Sequence, residues 1–254
     1  MQYERHIDLA AIGPLHATTR EFASRLKRAA RFVEEALSQC SSPYMSISGG
    51  KDSIAMLGLV ATVARAQGRD IEAWAHVSDA SFPGTVETIT QACATMGVRL
   101  MLDESPVSAW DVVGTQSDKR FGKEGYFFTA IRNWLESSKH DLAFVGVRAA
   151  ESKRRRKAAK AHGHIFETSV PSTHKQCHPL QWWGIEDVAA AIHIYGLPIH
   201  PIYRKKPCGT MPIRLGYMTS LDLTEMGSAI FLRTNYPEHF ARLAEIKPEI
   251  RRYV

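Results

Sequence analysis

The residues best suited to chemistry are Ser48-Gly49-Gly50-Lys51-Asp52-Ser53. Paired glycines let backbone N–H groups come close to a ligand that a side chain would hold off. Lys51 adds a point charge, Ser48 and Ser53 add hydroxyls, and Asp52 suits Mg2+ or a donor group on a substrate. The stretch follows Tyr44 to Ile47, a short strand-type run. It leads into Ile54, Leu57, Leu59, Val60 and Val63, the apolar face of a helix. A helix starting at the bend aims its positive dipole end and unpaired N–H groups at the same spot. Such a joint is built for an anion, best for the phosphates of a nucleotide. The bland alternative is a strand–turn–helix joint with a chance lysine. Six matching residues in register between strand and helix favour the phosphate.

The common P-loop has a glycine separated by four residues from its Gly-Lys pair, and Ser or Thr after it. Here Met45 takes the place of the first glycine and Asp52 follows Lys51. Nor does the stretch fit the dinucleotide pattern Gly-x-Gly-x-x-Gly.

The elements that must position the bend alternate. A helix is expected over Glu21 to Ser38, with Phe22, Leu26, Ala29, Phe32, Val33 and Leu37 on one face. Another runs from Asp52 to Ala66. Strands are expected over Asp70 to Val77 and Val98 to Leu102, with a helix carrying Val86, Ile89, Ala92, Cys93 and Met96 between them. After an irregular polar segment from Ser105 to Gly125, which could cover the site, come a helix from Tyr126 to Ser138 and a fourth strand from Asp141 to Val147. The order β-α-β-α-β argues for parallel strands with right-handed crossovers. Ligands in such sheets sit beyond the carboxyl ends of the strands. Asp79 lies at one such end, either binding ribose, adenine or metal or capping a helix.

A second loop, Gly146-Val147-Arg148-Ala149-Ala150-Glu151-Ser152-Lys153-Arg154-Arg155-Arg156-Lys157, holds five consecutive cations after the fourth strand. It reads as a phosphate or sulfate clamp, or more plainly as a solvated basic helix start. Arg148 is best placed, because its planar fork suits two phosphate oxygens. Gly163 to Pro179 reads as a loop, although His174, Cys177 and His178 have metal-ligating types. Leu197 to Tyr203 is expected to be extended.

The 254 residues fit one large α/β domain with a small C-terminal extension. The apolar share of 44% is ordinary, and no run approaches a membrane span. Met1 to Ala10 has no apolar core of a secretory signal, so the cytoplasm is the expected compartment. A formal net charge of +6 suits anionic ligands. The scattered cysteines Cys40, Cys93, Cys177 and Cys208 form no Cys-x-x-Cys, so neither an iron–sulfur cluster nor a structural zinc is expected.

Ser-Gly-Gly-Lys-Asp-Ser resembles the PP-loop of the adenine-nucleotide alpha-hydrolase superfamily, the N-type ATP pyrophosphatases. Asp79 with Phe82-Pro83-Gly84-Thr85, Gly146-Val147-Arg148 with Glu151-Ser152 and Arg154-Arg155, and His178-Pro179-Leu180 through Pro201-Ile202-Tyr203 resemble loops of its phosphoadenylyl-sulfate (PAPS) reductase-like branch. The resemblance implies a Rossmann-like parallel sheet with helices on both faces over 41–205, after a helical lead-in over 1–40 and before an extension over 206–254. It implies nucleotide contacts from Ser48 to Ser53 and from Asp79, Arg148, Ser152, Arg154 and Arg155. Lys51, Asp52 and Arg148 would be catalytic, with Mg2+ at Asp52. The C-terminal Glu-Cys-Gly-Leu-His of the true reductases is missing, and Met211 stands where a second cysteine often follows Cys208.

The expected activity is therefore cleavage of ATP between the alpha and beta phosphates, adenylylating an acceptor, either a small molecule or nucleic acid. The rivals are reduction or sulfo transfer from PAPS or its unphosphorylated relative APS, and a non-catalytic ATP-binding subunit of a modification or defence complex. A homo-oligomer or complex subunit is compatible, and no membrane partner is expected.

Overall fold

The computed structural model describes residues 6–105, 108–112, 125–169, 174–205, 213, 215 and 228–254, without the side chains of 112, 125–128, 228 and 253. Strands β1 (Pro43–Ser46), β2 (Glu72–Val77), β3 (Arg99–Glu104), β4 (Leu142–Val145), β5 (Ile165–Thr168) and β6 (His174–Cys177) form one sheet in the order β3-β2-β1-β4-β6-β5. All neighbours pair in parallel except β5 with β6. β1 is central because Tyr44 and Met45 are both fully buried, which requires cover on each face.

Period-two alternation sorts the two faces. Met45, Ala73, Ala75 and Phe144 join the main core with α2 (Arg20–Ser38), α3 (Lys51–Ala66) and α4 (Thr85–Met96). Tyr44, Trp74 and Ala143 point the other way, against Ile131 and Leu135 of α6 (Gly125–Ser137). Helices thus lie on both faces, as the alternating sequence predicts. Helix α3 is buried from Ser53 through Ala61. Gly58 permits this, since a Cβ there would run into the ring of Tyr195.

The N-terminal lead-in is α1 (Leu9–Ala17) followed by α2, both packed on α8 (Ile185–Ile194). Their shared anchor is Asp187, wholly buried. It accepts from Arg25 Nη1 at 2.6 Å and from the Gly184 N–H at 2.7 Å, and His16 Nε2 lies 2.8 Å away. An aspartate with those three partners is a hub, not a site residue.

Two expectations are corrected. The stretch from Gly163 to Pro179, read as a loop, contains β5 and β6. Their polar sequences, Ile-Phe-Glu-Thr and His-Lys-Gln-Cys, hide a strand whose outer neighbour is exposed, and β6 is fixed by pairing Phe144 with Cys177. Residues Pro201–Arg204, read as extended, form a 3-10 turn, because Pro201 presets its first helical φ. In the C-terminal extension, α9 (Ser228–Asn235) and α10 (Pro237–Ile246) build a second core with Ala80, Phe82, Trp110 and Ile202, at the carboxyl ends of the strands.

Asp187→Ala would take one carboxylate from the half-buried Arg25, which keeps Glu21, and leave the Gly184 N–H unpaired. Leaving a buried donor unsatisfied costs about 1–3 kcal/mol. Urea unfolding should show a loss of that size, with ATP affinity unchanged at temperatures where the variant is folded.

Candidate active site

The strand order reverses between β1 and β4: β1 leads to β2 and β3 on one side, whereas β4 and β6 continue on the other. Open sheets bind ligands at this switch point. The bend after β1 and the loop after β4 flank it.

The bend is tied internally. Gly49 takes φ 76°, open to glycine at little cost. The Ser48 N–H donates to Ser53 Oγ at 3.2 Å, and the Ser53 hydroxyl donates to the Gly50 carbonyl at 2.9 Å. Gly50 is the N-cap of α3, so this helix starts at the bend as its sequence requires. Ser48 is exposed and Gly50 half-buried, which opens the bend to solvent on one side. From below, Gly146 touches the start of α3: a Cβ there would lie 2.9 Å from the Asp52 carbonyl oxygen and the Ser53 nitrogen. This contact brings the β4 loop against the β1 bend and explains the glycine in Gly146-Val147-Arg148.

Across that contact three charges meet. Lys51 Nζ donates to Asp52 Oδ2 at 2.7 Å, and Arg148 Nε donates to Asp52 Oδ1 at 2.5 Å. Burial would raise the Asp52 pKa, but the positive charges of Lys51 and Arg148 outweigh it and hold the carboxyl below its ordinary value. Two cations thus flank one carboxylate beside the helix start. Arg148 is fully buried, unlike the surface clamp expected of it. Its Nη1 reaches the Trp183 carbonyl at 3.4 Å, and its backbone N–H donates to Glu151 Oε2 at 3.1 Å. As placed, it positions Asp52 and charges the floor of the site.

The remaining expected residues separate. Both carboxylate oxygens of Asp79 are engaged at the start of α5 (Ala109–Val112). They accept from the Ser108 hydroxyl at 2.5 Å and from the Ala109 N–H at 2.8 Å. Of the two roles open to Asp79, capping is the one with contacts. Ser152 caps α7 (Lys153–His162) by accepting the Arg155 N–H at 3.1 Å. Arg155 pairs with Glu151, and Arg154 is exposed.

Two residues brace the site, and of them the sequence offered only Tyr203, through family likeness. The Tyr203 hydroxyl accepts the Lys51 N–H at 3.1 Å, across 152 positions, and burial pushes its pKa up. His200 Nδ1 accepts the Ile202 N–H at 3.0 Å, so its proton sits on Nε2, which lies 3.0 Å from Thr85 Oγ1. One short segment thus holds both the β1 bend and the β2 loop. A Pro followed by Ile-Tyr was the available signal, but spacing cannot show such reach.

The donor set does not fit a resident Mg2+ at Asp52, whose two oxygens already face cations. Among the described residues no group of three His, Cys, Asp or Glu converges as a metal site. Burial pushes the thiols of Cys40 and Cys93 up, that of Cys93 to about 12, and raises that of Cys177 further. None of these three is an activated thiolate. Cys208, and Lys119, Arg120 and Lys123 of the expected cover, lie outside the described residues. No described helix is long and apolar enough to cross a membrane.

Burial lowers the pKa of His200 and of His178 from 6.5 to about 4. The unfolded chain therefore binds more protons between those values. Stability should be complete above pH 6.5 and fall as pH drops towards 4, by up to about 1.4 kcal/mol per unit for each histidine. Melting temperature against pH should show this slope, and His200→Gln should flatten part of it.

The family model described as phosphoadenosine phosphosulfate reductase domain matches residues 42–239. No curated protein sequence matches the chain. Three solved structures show the fold it shares. Phosphoadenylyl-sulfate (PAPS) reductase from Candida auris, in a phosphate complex, is 13% identical at TM-score 0.54, over 79% of this chain and 93% of that one. Candida glabrata FMN adenylyltransferase with FMN and the ATP analogue AMPCPP is 13% identical at TM-score 0.56, over 77% of this chain and 68% of that one. The U34-tRNA thiolase NcsA from Methanococcus maripaludis, with its 4Fe–4S cluster, is 16% identical at TM-score 0.51, over 100% of this chain and 89% of that one.

Proposed function

Because the chain belongs to the phosphoadenosine phosphosulfate reductase domain family, a PP-loop family whose members act on adenine nucleotides, we propose that it binds ATP at the Ser48–Ser53 bend and cleaves it between the alpha and beta phosphates. The observation that carries this reading is the Lys51–Asp52–Arg148 cluster at the sheet's switch point, beneath the glycine bend from which α3 starts. An acceptor oxygen or nitrogen attacks the alpha phosphorus, the bond to the bridging oxygen breaks, and pyrophosphate leaves with the electron pair. The acceptor's proton passes to solvent. Such a transfer needs positioning and charge stabilisation, with no protein nucleophile.

Ser48, Gly49, Gly50 and Ser53 would hold the departing pyrophosphate, and Lys51 would turn from Asp52 to the phosphates. Arg148 would act through Asp52 as a positioning residue. Mg2+ carried on the triphosphate would neutralise phosphate charge, and no step here is assigned to it. Asp79 and Ser152, which cap α5 and α7, and Arg155, which pairs with Glu151, would border the site. Thiol-based reduction of PAPS or APS finds no support among the described cysteines. A non-catalytic ATP-binding subunit would bind the nucleotide and release nothing.

The decisive assay is pyrophosphate release from ATP and Mg2+ across a panel of acceptors. Release supports adenylyl transfer. Thioredoxin-dependent sulfite formation from PAPS, lost in Cys208→Ser, would replace it by reduction, and binding without turnover by the subunit reading. Lys51→Ala should weaken ATP-analogue binding by about 1.5–3 kcal/mol, measured by calorimetry. Unchanged affinity would remove the bend as the site.

Arg148→Lys keeps the charge and loses the fork. It should lower kcat at least about tenfold with little change in KM, the split expected when a group shapes the transition state. Wild-type kcat would show that Arg148 is structural alone.

A further inference from the structure

Helix α7 is the chain's densest concentration of charge, and the nucleotide site does not use most of it. Its sequence is Lys-Arg-Arg-Arg-Lys-Ala-Ala-Lys-Ala-His, none of its residues is buried, and no Asp or Glu occurs from Ser152 to Phe166. The half-buried residues Arg155 and Ala159 mark the side turned to the body, where Arg155 pairs with Glu151. At 100° per residue, Lys153, Arg156, Lys157 and Lys160 fall on the opposite side, within an arc of about 100°. All four are exposed. The i, i+3, i+4, i+7 spacing makes a stripe about 10 Å long, by the helical rise.

A solvated helix normally mixes signs along its face, with carboxylates four residues from lysines. This stripe has no carboxylate of its own. It starts five residues after Arg148, in the same loop-to-helix stretch. At its far end stands an aromatic surface. The half-buried ring of Phe166 lies 5.7 Å from that of His162 and 4.9 Å from that of His178. Nearby, Gln181, with its amide turned to satisfy both neighbours, donates to the Gly163 carbonyl at 2.9 Å and accepts from Trp182 Nε1 at 3.0 Å. Trp182, large and apolar, is 36% exposed, and Gln181 ties it to Gly163, the residue after α7.

We propose that α7 and Trp182 form a docking surface for single-stranded nucleic acid, which delivers a nucleotide to the switch-point site as acceptor. A row of cations with an exposed indole at its end reads a phosphate backbone and stacks a base. An acidic polypeptide would use the charges and leave the indole idle. The delivery role rests on the adenylyl-transfer reading above. The docking surface rests on α7 and Trp182 alone.

The test is fluorescence anisotropy of labelled mixed-sequence RNA and DNA strands of ~20 nucleotides, long enough for one binding site, over a salt series. Wild type should bind single strands more tightly than duplex, with affinity falling steeply with salt. K153Q/R156Q/K157Q/K160Q should reduce the slope of log K against log salt by about 3, near 0.7 per lost phosphate contact. Trp182→Ala should weaken binding roughly tenfold through lost stacking. ATP-analogue affinity should stay within about twofold in both variants, which shows that they are folded.

The proposal is overturned if wild type binds no strand at low salt, if the quadruple variant keeps the wild-type slope, or if polyglutamate competes as well as the oligonucleotide. Tighter duplex binding would also overturn it. Strand binding by a protein that releases no pyrophosphate would keep the docking surface and remove the adenylyl-transfer reading instead.

Discussion

A carboxylate held between two cations fastens one loop of this sheet to another. Asp52 starts α3, Arg148 ends the β4 strand loop, and their contact closes the switch point from beneath. Exposed ion pairs such as Arg25 with Glu21 are worth about 0.2–1 kcal/mol. Removing one partner of a buried pair costs about 3–5 kcal/mol, because the other is left charged in a poor solvent. Arg148 is fully buried, so it must have Asp52, and Asp52 must stay ionised to serve it. The glycine bend above them inherits a fixed floor.

The rest of the molecule keeps that floor still. Gly146 removes the side chain that would push β4 from α3, and Tyr203 holds the Lys51 amide from the far side. His200 ties the same segment to Thr85, and the α9 and α10 core packs over Ala80 and Phe82. Phosphate recognition needs N–H groups fixed before the ligand arrives, since a bend that had to order itself would spend binding energy doing so.

Much of this could be read along the chain. Tyr44-Met45 and Leu142-Ala143-Phe144 are continuous apolar runs because both sheet faces are covered, and that pattern gives parallel strands. Gly49-Gly50 before Lys51 marks the bend, since only glycine takes φ 76° cheaply. β5 and β6 escaped notice because short polar strands carry no periodic apolar signal. Their place depends on which backbone lies alongside.

Local residue types, then, determined the alternating strands and helices, the glycine bend and the cationic loop, because backbone preference and apolar period act over a few residues. Tertiary structure alone decided that Arg148 turns inward to Asp52 and that Asp79 serves α5. It also made Asp187 a structural hub and brought Tyr203 to the Lys51 amide. Those outcomes depend on burial and on partners distant in sequence. A charged side chain's role is set by what lies within a few ångströms of it, which its neighbours in the chain do not specify.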